Sequence, residues 1–381
     1  MKIFVIPSAY PNDCNPNSGT FVHEQCRALK QDGHEVIVLD ATAYGYKNWF
    51  ISNVNNFEKS KIDDVEIYAM HYRGLMSTRI PRLAVHCYLN RLRILYQHAI
   101  AEHGLPDLFF AHFTFTSGYG ALILSKETGI PYIVTEHHSL FLKSNLHPFI
   151  KRITIEVIEG ASAFICVSEH LRTAMKKFEP ANKKICVVPN LIDDKFRFAP
   201  MPSAPPFIFF SAGNLVENKN FHLLIEAFCR AFSKQEKVIL KIAGSGPEKS
   251  RLEKLIRYYG REKQIYLLGN LKRDVIMNFF KECHCFVLPS KYETFGIVYR
   301  EAMAVGRPVI SSRNGGVLDG WNEQYGRLLS SNDIESCKSE MIYMYKNINM
   351  YNSKLISKYT VEKYSKAAVV KNINRILKNI M

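Results

Sequence analysis

Two glutamates, Glu293 and Glu301, stand eight positions apart in the stretch PSKYETFGIVYREAMAVGRPVI at residues 289–310. A buried carboxylate accepts hydrogen bonds at about four lone-pair positions, so such a pair can hold the hydroxyl groups of a ligand. The surrounding residues say how the two are placed. An apolar run ends at Pro289-Ser290, Gly296 breaks the chain, a helical pattern follows as far as Gly306, and a second apolar run begins. The order predicted is strand, loop, helix, strand. Glu293 then lies in the loop, and Glu301 lies a turn and a half into the helix at ~1.5 Å per residue. They share no helical face. They approach one space at the end of a strand from different directions, which is where open parallel sheets hold ligands.

The same alternation of elements runs through the chain. MKIFVIPS reads as a strand, NPNSGT as a glycine-bearing loop, FVHEQCRALKQDG as a helix ended by Gly33 and HEVIVLDA as the next strand, which makes one βαβ unit. PDLFFAHF, SGYGALILSKETG, PYIVTEHH, ITIEVIEGA, SAFICVSE and KICVVPN continue it. From Asp193 to Pro206 the sequence DDKFRFAPMPSAPP is proline-rich and aperiodic, and reads as a linker. The alternation restarts at FIFFSAGN and continues through FHLLIEAFCRAFSKQ, KVILKIAGSG, PEKSRLEKLIRYYG, IYLLGN, DVIMNFFKEC and HCFVLPS. Short apolar runs alternating with amphipathic helices predict parallel sheets covered on both faces. The fold class expected is α/β, with two doubly wound Rossmann-like domains facing each other across a cleft. A length of 381 residues agrees with two domains of roughly 150 residues or more. The boundaries expected are 1–195, a linker at 196–206, 207–358, and a C-terminal helix at 359–381 returning to the first domain.

Composition bounds the function. Hydrophobic residues at 47% and charged residues at 22% describe an ordinary globular protein. The four-residue apolar run before Pro7 is short for a signal peptide, and no run approaches the ~18 residues of a spanning helix, so a cytoplasmic location is expected. Nine cysteines without framework spacing fit reduced thiols. Cys283, His284 and Cys285 enter a strand, where alternate side chains face opposite ways, so no metal is expected there. Of the net charge of +15, the residues up to Pro200 carry 22 basic against 19 acidic groups (+3) and the remainder 28 against 16 (+12). The excess is spread over helices such as KSRLEKLIRYYGREK rather than set in a stripe with groove-fitting elements, so it fits an anionic small ligand or membrane surface as well as nucleic acid.

SAGNLVENKNFHLLIEAF, LKIAGSGPEKSRLEKLI, the stretch from IYLLGNLKR to GRPVI, and SSRNGG together resemble the nucleotide-sugar half of retaining glycosyltransferases of family 4. NSGTFVHEQCRALKQDGHEVIVL, PYIVTEHHSLF, FICVSEHLRTAM and VVPNLID resemble the acceptor half. The likeness is poorest between Tyr44 and Leu105. It implies the GT-B architecture and transfer of a sugar, with retention of configuration, from a nucleotide diphosphate sugar. By the same resemblance Glu301 holds the two ribose hydroxyls, Glu293 accepts from the transferred sugar, and Lys219 binds phosphate. Asn214, Gly213, Asn270, Leu271, Phe295, Gly296 and Ile297 join the donor site, Gly19 and Thr20 form a loop for phosphate or acceptor, and His137 contacts substrate. His138 competes with His137, because one step along a strand end redirects a side chain. His112 reads as a core histidine and Glu136 as a group that orients the imidazole. Many relatives carry arginine where this chain has Asn214, so either Lys219 is expected to do more here or a basic residue from elsewhere, Arg300 or Lys291, to compensate for the missing charge.

No Asp-x-Asp occurs in the chain, so metal-independent catalysis without a cofactor is expected, with the nucleotide diphosphate sugar as substrate. The acceptor expected is a saccharide or lipid-linked saccharide in cell-surface polysaccharide assembly. Arg73, Arg79, Arg82, Arg91 and Arg93 alternate with apolar residues in the least-matching stretch. They read either as a solvated helix face or as a peripheral contact with an anionic inner membrane leaflet. Two rival functions are a nucleotide-sugar epimerase of the same fold and a non-enzymatic basic binding protein.

Overall fold

The computed structural model describes residues 1–12, 15–44, 56–74, 80–142, 145–181 and 183–380. They form two compact units, Met1–Leu191 with Lys366–Met381, and Ile192–Ser365. The first unit contains β1 (Lys2–Pro7), α1 (Thr20–Gln31), β2 (Glu35–Asp40), β3 (Ala43–Tyr44), β4 (Glu58–Ile62), β5 (Val65–Ala69), β6 (Tyr72–Arg73), α2 (Pro81–His103), β7 (Leu108–His112), α3 (Tyr119–Thr128), β8 (Tyr132–Glu136), α4 (Pro148–Gly160), β9 (Ala163–Cys166), α5 (Glu169–Met175) and β10 (Cys186–Val187). The second contains β11 (Phe207–Ala212), α6 (Phe221–Ala231), β12 (Val238–Ala243), α7 (Lys249–Tyr259), β13 (Ile265–Gly269), α8 (Arg273–Glu282), β14 (Cys285–Leu288), α9 (Ile297–Ala304), β15 (Val309–Ser311), α10 (Gly315–Leu318), β16 (Gly326–Leu328), α11 (Ile334–Asn347) and α12 (Ser353–Tyr364). The last helix, α13 (Lys366–Lys378), lies in the first unit. There Lys366 forms a buried 3.0 Å ion pair with Glu24 of α1.

Strand order explains where ligand groups collect. The first unit's sheet runs β10-β9-β8-β7-β1-β2-β5-β4, parallel except for the edge strand β4. Its central strands are apolar on both faces: residues 3–6 and 108–111 are all buried, as a sheet covered twice requires. The antiparallel β4, EKSKI, is largely exposed, and its lysines blunt a free edge. The second unit's sheet, β13-β12-β11-β14-β15-β16, is wholly parallel. In each sheet the chain order reverses beside the first strand, at β1/β7 and at β11/β14. The crevice at such a switch point opens at the carboxyl ends of the strands.

Residues 196–206 lie in the second unit. The buried Arg307 donates to the carbonyls of Ala199 and Pro200 at 3.0 and 2.8 Å, and to those of Phe280 and Lys281. The Cys283-His284-Cys285 run is structural. Both thiols bond backbone carbonyls, and His284 stacks on Phe207 while its Nδ1 accepts from the N–H of Ile208.

Candidate active site

At the second unit's switch point two loops are fastened together. One follows β11 and carries Gly213 to Asn220; the other follows β14 and carries Pro289 to Gly296. The N–H of Lys291 donates to the carbonyl of Asn218 at 2.8 Å, Asn218 donates to the carbonyl of Tyr292 at 3.1 Å, and Asn220 donates to that of Pro289 at 3.0 Å. Across this seam the Lys219 ammonium meets Glu293 Oε1 at 2.6 Å. The lysine stem runs over Gly213, where a Cβ would lie 3.6 Å from Lys219 Cε. Gly316 presses on the second loop so closely that a Cβ there would stand 2.6 Å from the carbonyl oxygen of Glu293 and the nitrogen of Phe295, so only glycine fits.

Gly296, at φ +75, caps α9. The next N–H groups open a helix and have no intrahelical acceptor. Phe295 is buried against Tyr364 and Arg300, so its ring belongs to the core and the backbone of 295–297 is what the loop presents. Glu301, 4% exposed on α9, forms an ion pair with Arg273 at the start of α8. Arg273 also lies 3.7 Å from Asp193 and over the ring of Phe196. The two glutamates are therefore held by different cations. Asn270 and Leu271 lie between β13 and α8, separated from Arg273 by Lys272.

The expectation for Arg300 is corrected here. It is buried, donates to the carbonyls of Val317 and Asp319 at 3.2 and 2.9 Å, and packs against Phe295 and Tyr364. A guanidinium spent on backbone cannot replace the charge missing at the exposed Asn214. Lys291 is exposed and paired with Glu217 at 2.7 Å. Arg273 was not singled out in the sequence. Its signal is only an arginine in the first helical position after the IYLLGN strand.

In the first unit, Gly19 adopts φ +59 at the start of α1, and a Cβ there would sit 2.0 Å from the carbonyl oxygen of Ala9. Contact between two segments of the chain itself thus demands this glycine. Thr20 opens α1 beside it. His137 follows β8 and is 7% exposed. Its Nε2 lies 3.0 Å from Nδ1 of the fully buried His112, the rings stack, and Phe21 and Phe113 pack on its other sides. Its Nδ1 is buried with no hydrogen-bond partner among the described residues. Burial and the adjoining His112 hold His137 well below the ordinary imidazole range, against a smaller pull from Asn190. Burial alone lowers His112 to about 3. Both rings are neutral near pH 7.

His112 is therefore a core histidine and also the direct partner of His137. The role expected for Glu136 is corrected. Its carboxylate accepts from the N–H groups of His137 at 2.8 Å, His138 at 2.6 Å and Thr114 at 2.8 Å, and from the Thr114 hydroxyl. It fixes the backbone that carries the histidines and leaves the imidazole to His112. His138 is exposed and accepts from the N–H of Leu140 at Nδ1.

A family model described as "Glycosyltransferase Family 4" matches residues 18–196, and one described as "Glycosyl transferases group 1" matches 193–353. Together the two span residues 18–353 and reach into both units. The chain belongs to glycosyltransferase family 4. Within the family it is 29% identical over 229 residues to the uncharacterized glycosyltransferase YqgM of Bacillus subtilis, a match spanning 58% of this chain and 63% of that relative. It is 25% identical over 339 residues to the putative teichuronic acid biosynthesis glycosyltransferase TuaC of the same organism, covering 83% of this chain and 82% of the relative. Among solved structures, Anabaena Alr3699/HepE in complex with UDP-glucose superposes with a TM-score of 0.74 at 17% identity, covering 100% of both chains. The fold of this family 4 member is GT-B, as expected from its sequence.

Proposed function

We propose that the chain transfers a sugar from a nucleotide diphosphate sugar to a saccharide or lipid-linked saccharide acceptor, with retention of configuration and without a metal. The observation that carries this reading is the Lys219–Glu293 pair, 2.6 Å apart at the switch point of a parallel sheet. An incoming diphosphate offers Lys219 a stronger anionic partner, and the carboxylate released from the lysine can then accept from hydroxyls of the transferred sugar. Charge growing on the leaving diphosphate is met by Lys219 and the first N–H groups of α9. Glu301, fixed by Arg273, takes the ribose hydroxyls. His137, neutral and held by His112, serves as a hydrogen-bonding group rather than a cation. The absence of Asp-x-Asp from the sequence and the presence of a lysine where charge develops support metal independence.

TuaC's description as a teichuronic acid biosynthesis enzyme and the UDP-glucose complex of HepE support a nucleotide sugar donor and a role in cell-surface polysaccharide assembly. The peripheral membrane reading narrows to the first turn of α2. Arg82 is exposed there beside Ile80 and Leu83 and lies 5.6 Å over the ring of Phe149; further along α2 Arg91 lies over Tyr72, and Arg93 pairs with Glu127. Arg79 lies outside the described residues. No helix among the described residues is long and apolar enough to cross a membrane.

Thermal stabilisation and donor hydrolysis across a panel of nucleotide sugars test the function, since a ligand at 100 times its dissociation constant adds about 2.7 kcal/mol. No stabilisation by any of them would remove the transferase reading.

A further inference from the structure

A cavity of about 370 Å³ opens at the carboxyl end of the first unit's sheet, within the roughly 300–1,000 Å³ of small-molecule sites. We propose that it seats an uncharged sugar ring of the acceptor, on a platform of Phe113 and Phe115 and with His138 as a hydrogen-bond donor. The proposal rests on the transferase reading and names what the first unit takes.

The lining carries the two halves of carbohydrate recognition. A sugar ring has faces of C–H groups and a rim of hydroxyls. Phe113 and Phe115 line the cavity half-exposed, and the electron-rich face of an aromatic ring attracts such C–H hydrogens. Thr42 and Thr116 add short hydroxyls, each both donor and acceptor. His138 Nδ1 accepts from the N–H of Leu140 at 2.8 Å, which puts the ring's N–H at Nε2 as a donor for a sugar oxygen.

Charge decides between a neutral and an anionic ring. The carboxyl group in the lining is Glu136, an acidic side chain whose oxygens receive four hydrogen bonds from the chain. Among the described residues no lysine or arginine lines the cavity. A uronate or a sugar phosphate would meet that acidic side chain and, among the described lining residues, no compensating cation.

The wall is also built at a conformational cost. Phe113 sits at φ +75, ψ 142, a region that side-chain-bearing residues rarely occupy. Its N–H donates to the carbonyl of Thr135 at 2.8 Å, and its own carbonyl accepts from Gly118 at 2.9 Å. A π-helical turn at Thr114–Gly118 follows, pinned by Ser8 Oγ at 2.7 Å from Thr116 and 2.6 Å from Ser117. This scaffold holds the Phe113 ring at the cavity wall.

Saturation-transfer NMR on the full chain without donor tests the proposal, using neutral methyl hexosides and methyl N-acetylhexosaminides against uronate and 6-phosphate counterparts. Expected are binding of at least one neutral ring, tenfold or weaker binding of its charged counterparts, and at least tenfold loss in Phe115→Ala. His138→Ala should lose severalfold, with partial recovery in His138→Gln, whose amide still donates. Absence of neutral-ring binding, equal or tighter binding of the charged rings, or unchanged binding in Phe115→Ala would overturn it. Stabilisation by nucleoside diphosphates is read separately on the same variants. Its absence in the unaltered chain would instead strike the transferase reading.

Discussion

In the second unit the candidate groups are charged and paired: Lys219 with Glu293, Arg273 with Glu301, Lys291 with Glu217. In the first they are neutral imidazoles and aromatic rings gathered over one carboxylate saturated by backbone. Both sit at the carboxyl ends of strands at a switch point, so the topology is common and the chemistry is not. A sheet end is an indifferent frame. The side chains set on it decide whether an anionic leaving group or an uncharged ring is favoured, because a desolvated cation strengthens the first contact and does nothing for the second.

The sharpest way to break this contrast is Lys219→Ala. If the lysine meets charge that grows as the bond breaks, single-turnover rates should fall about 10²- to 10³-fold, with a smaller change in donor affinity. An unchanged rate would remove the lysine from the chemistry. Next in size is Glu301→Ala, expected to weaken donor binding by roughly 2 to 3 kcal/mol through loss of paired charge-assisted bonds. Arg273→Ala should weaken it too, and a double-mutant cycle by donor titration should show the two losses to be non-additive. Additive losses would mean that the ion pair plays no part in holding the ribose group.

His112→Phe keeps the aromatic volume and removes the partner of His137. Turnover is expected to drop about tenfold while stabilisation by nucleoside diphosphate stays as before, since that contact belongs to the other unit. The same variant bears on stability against pH. With its folded pKa at about 3, below the unfolded value near 6.5, His112 binds more protons when unfolded. Stability should therefore be full above about pH 6.5 and fall, by at most about 1.4 kcal/mol per pH unit, as pH drops towards 3. Thermal unfolding from pH 4 to 8 should show a shallower acid slope in His112→Phe.

Smaller effects are expected at the membrane and the metal. Flotation with anionic vesicles at low salt should decline severalfold in Arg82→Gln with Leu83→Ser and vanish as salt screens the charge; indifference to vesicles would end the membrane reading. EDTA should leave turnover within about twofold, and loss restored by Mg²⁺ or Mn²⁺ would count against a lysine-based leaving-group site.

What could be read from the chain differed between the two regions. Glu293, Gly296 and Lys219 stand in loops, and Glu301 on the helix that follows one of them, at positions set by short strand and helix patterns, so their residue types alone suggest binding. The Phe113 wall left no such trace. FFAHFTF reads as the end of a strand, and neither the positive φ nor the π-helical turn has a local signature, because both are imposed by bonds from Thr135 and Ser8, far away in sequence. Arg300 reads as a free cation because a helix pattern does not show that three carbonyls, of Gly316 and Val317 in α10 and of Asp319 just after it, converge on it.

The sequence by itself determined the alternation of elements, the two doubly wound sheets and the family, since these depend on periodicity and on motifs a few residues long. Only the tertiary structure decided which cation holds which carboxylate, that His137 answers to His112 rather than Glu136, and that His138 is the imidazole at the cavity. The physical reason is reach: hydrophobic period and backbone propensity act between neighbours in the chain, whereas an ion pair or a buried imidazole contact joins residues 25 or 74 positions apart, and which of them meet is settled by the packing of the strands that carry them.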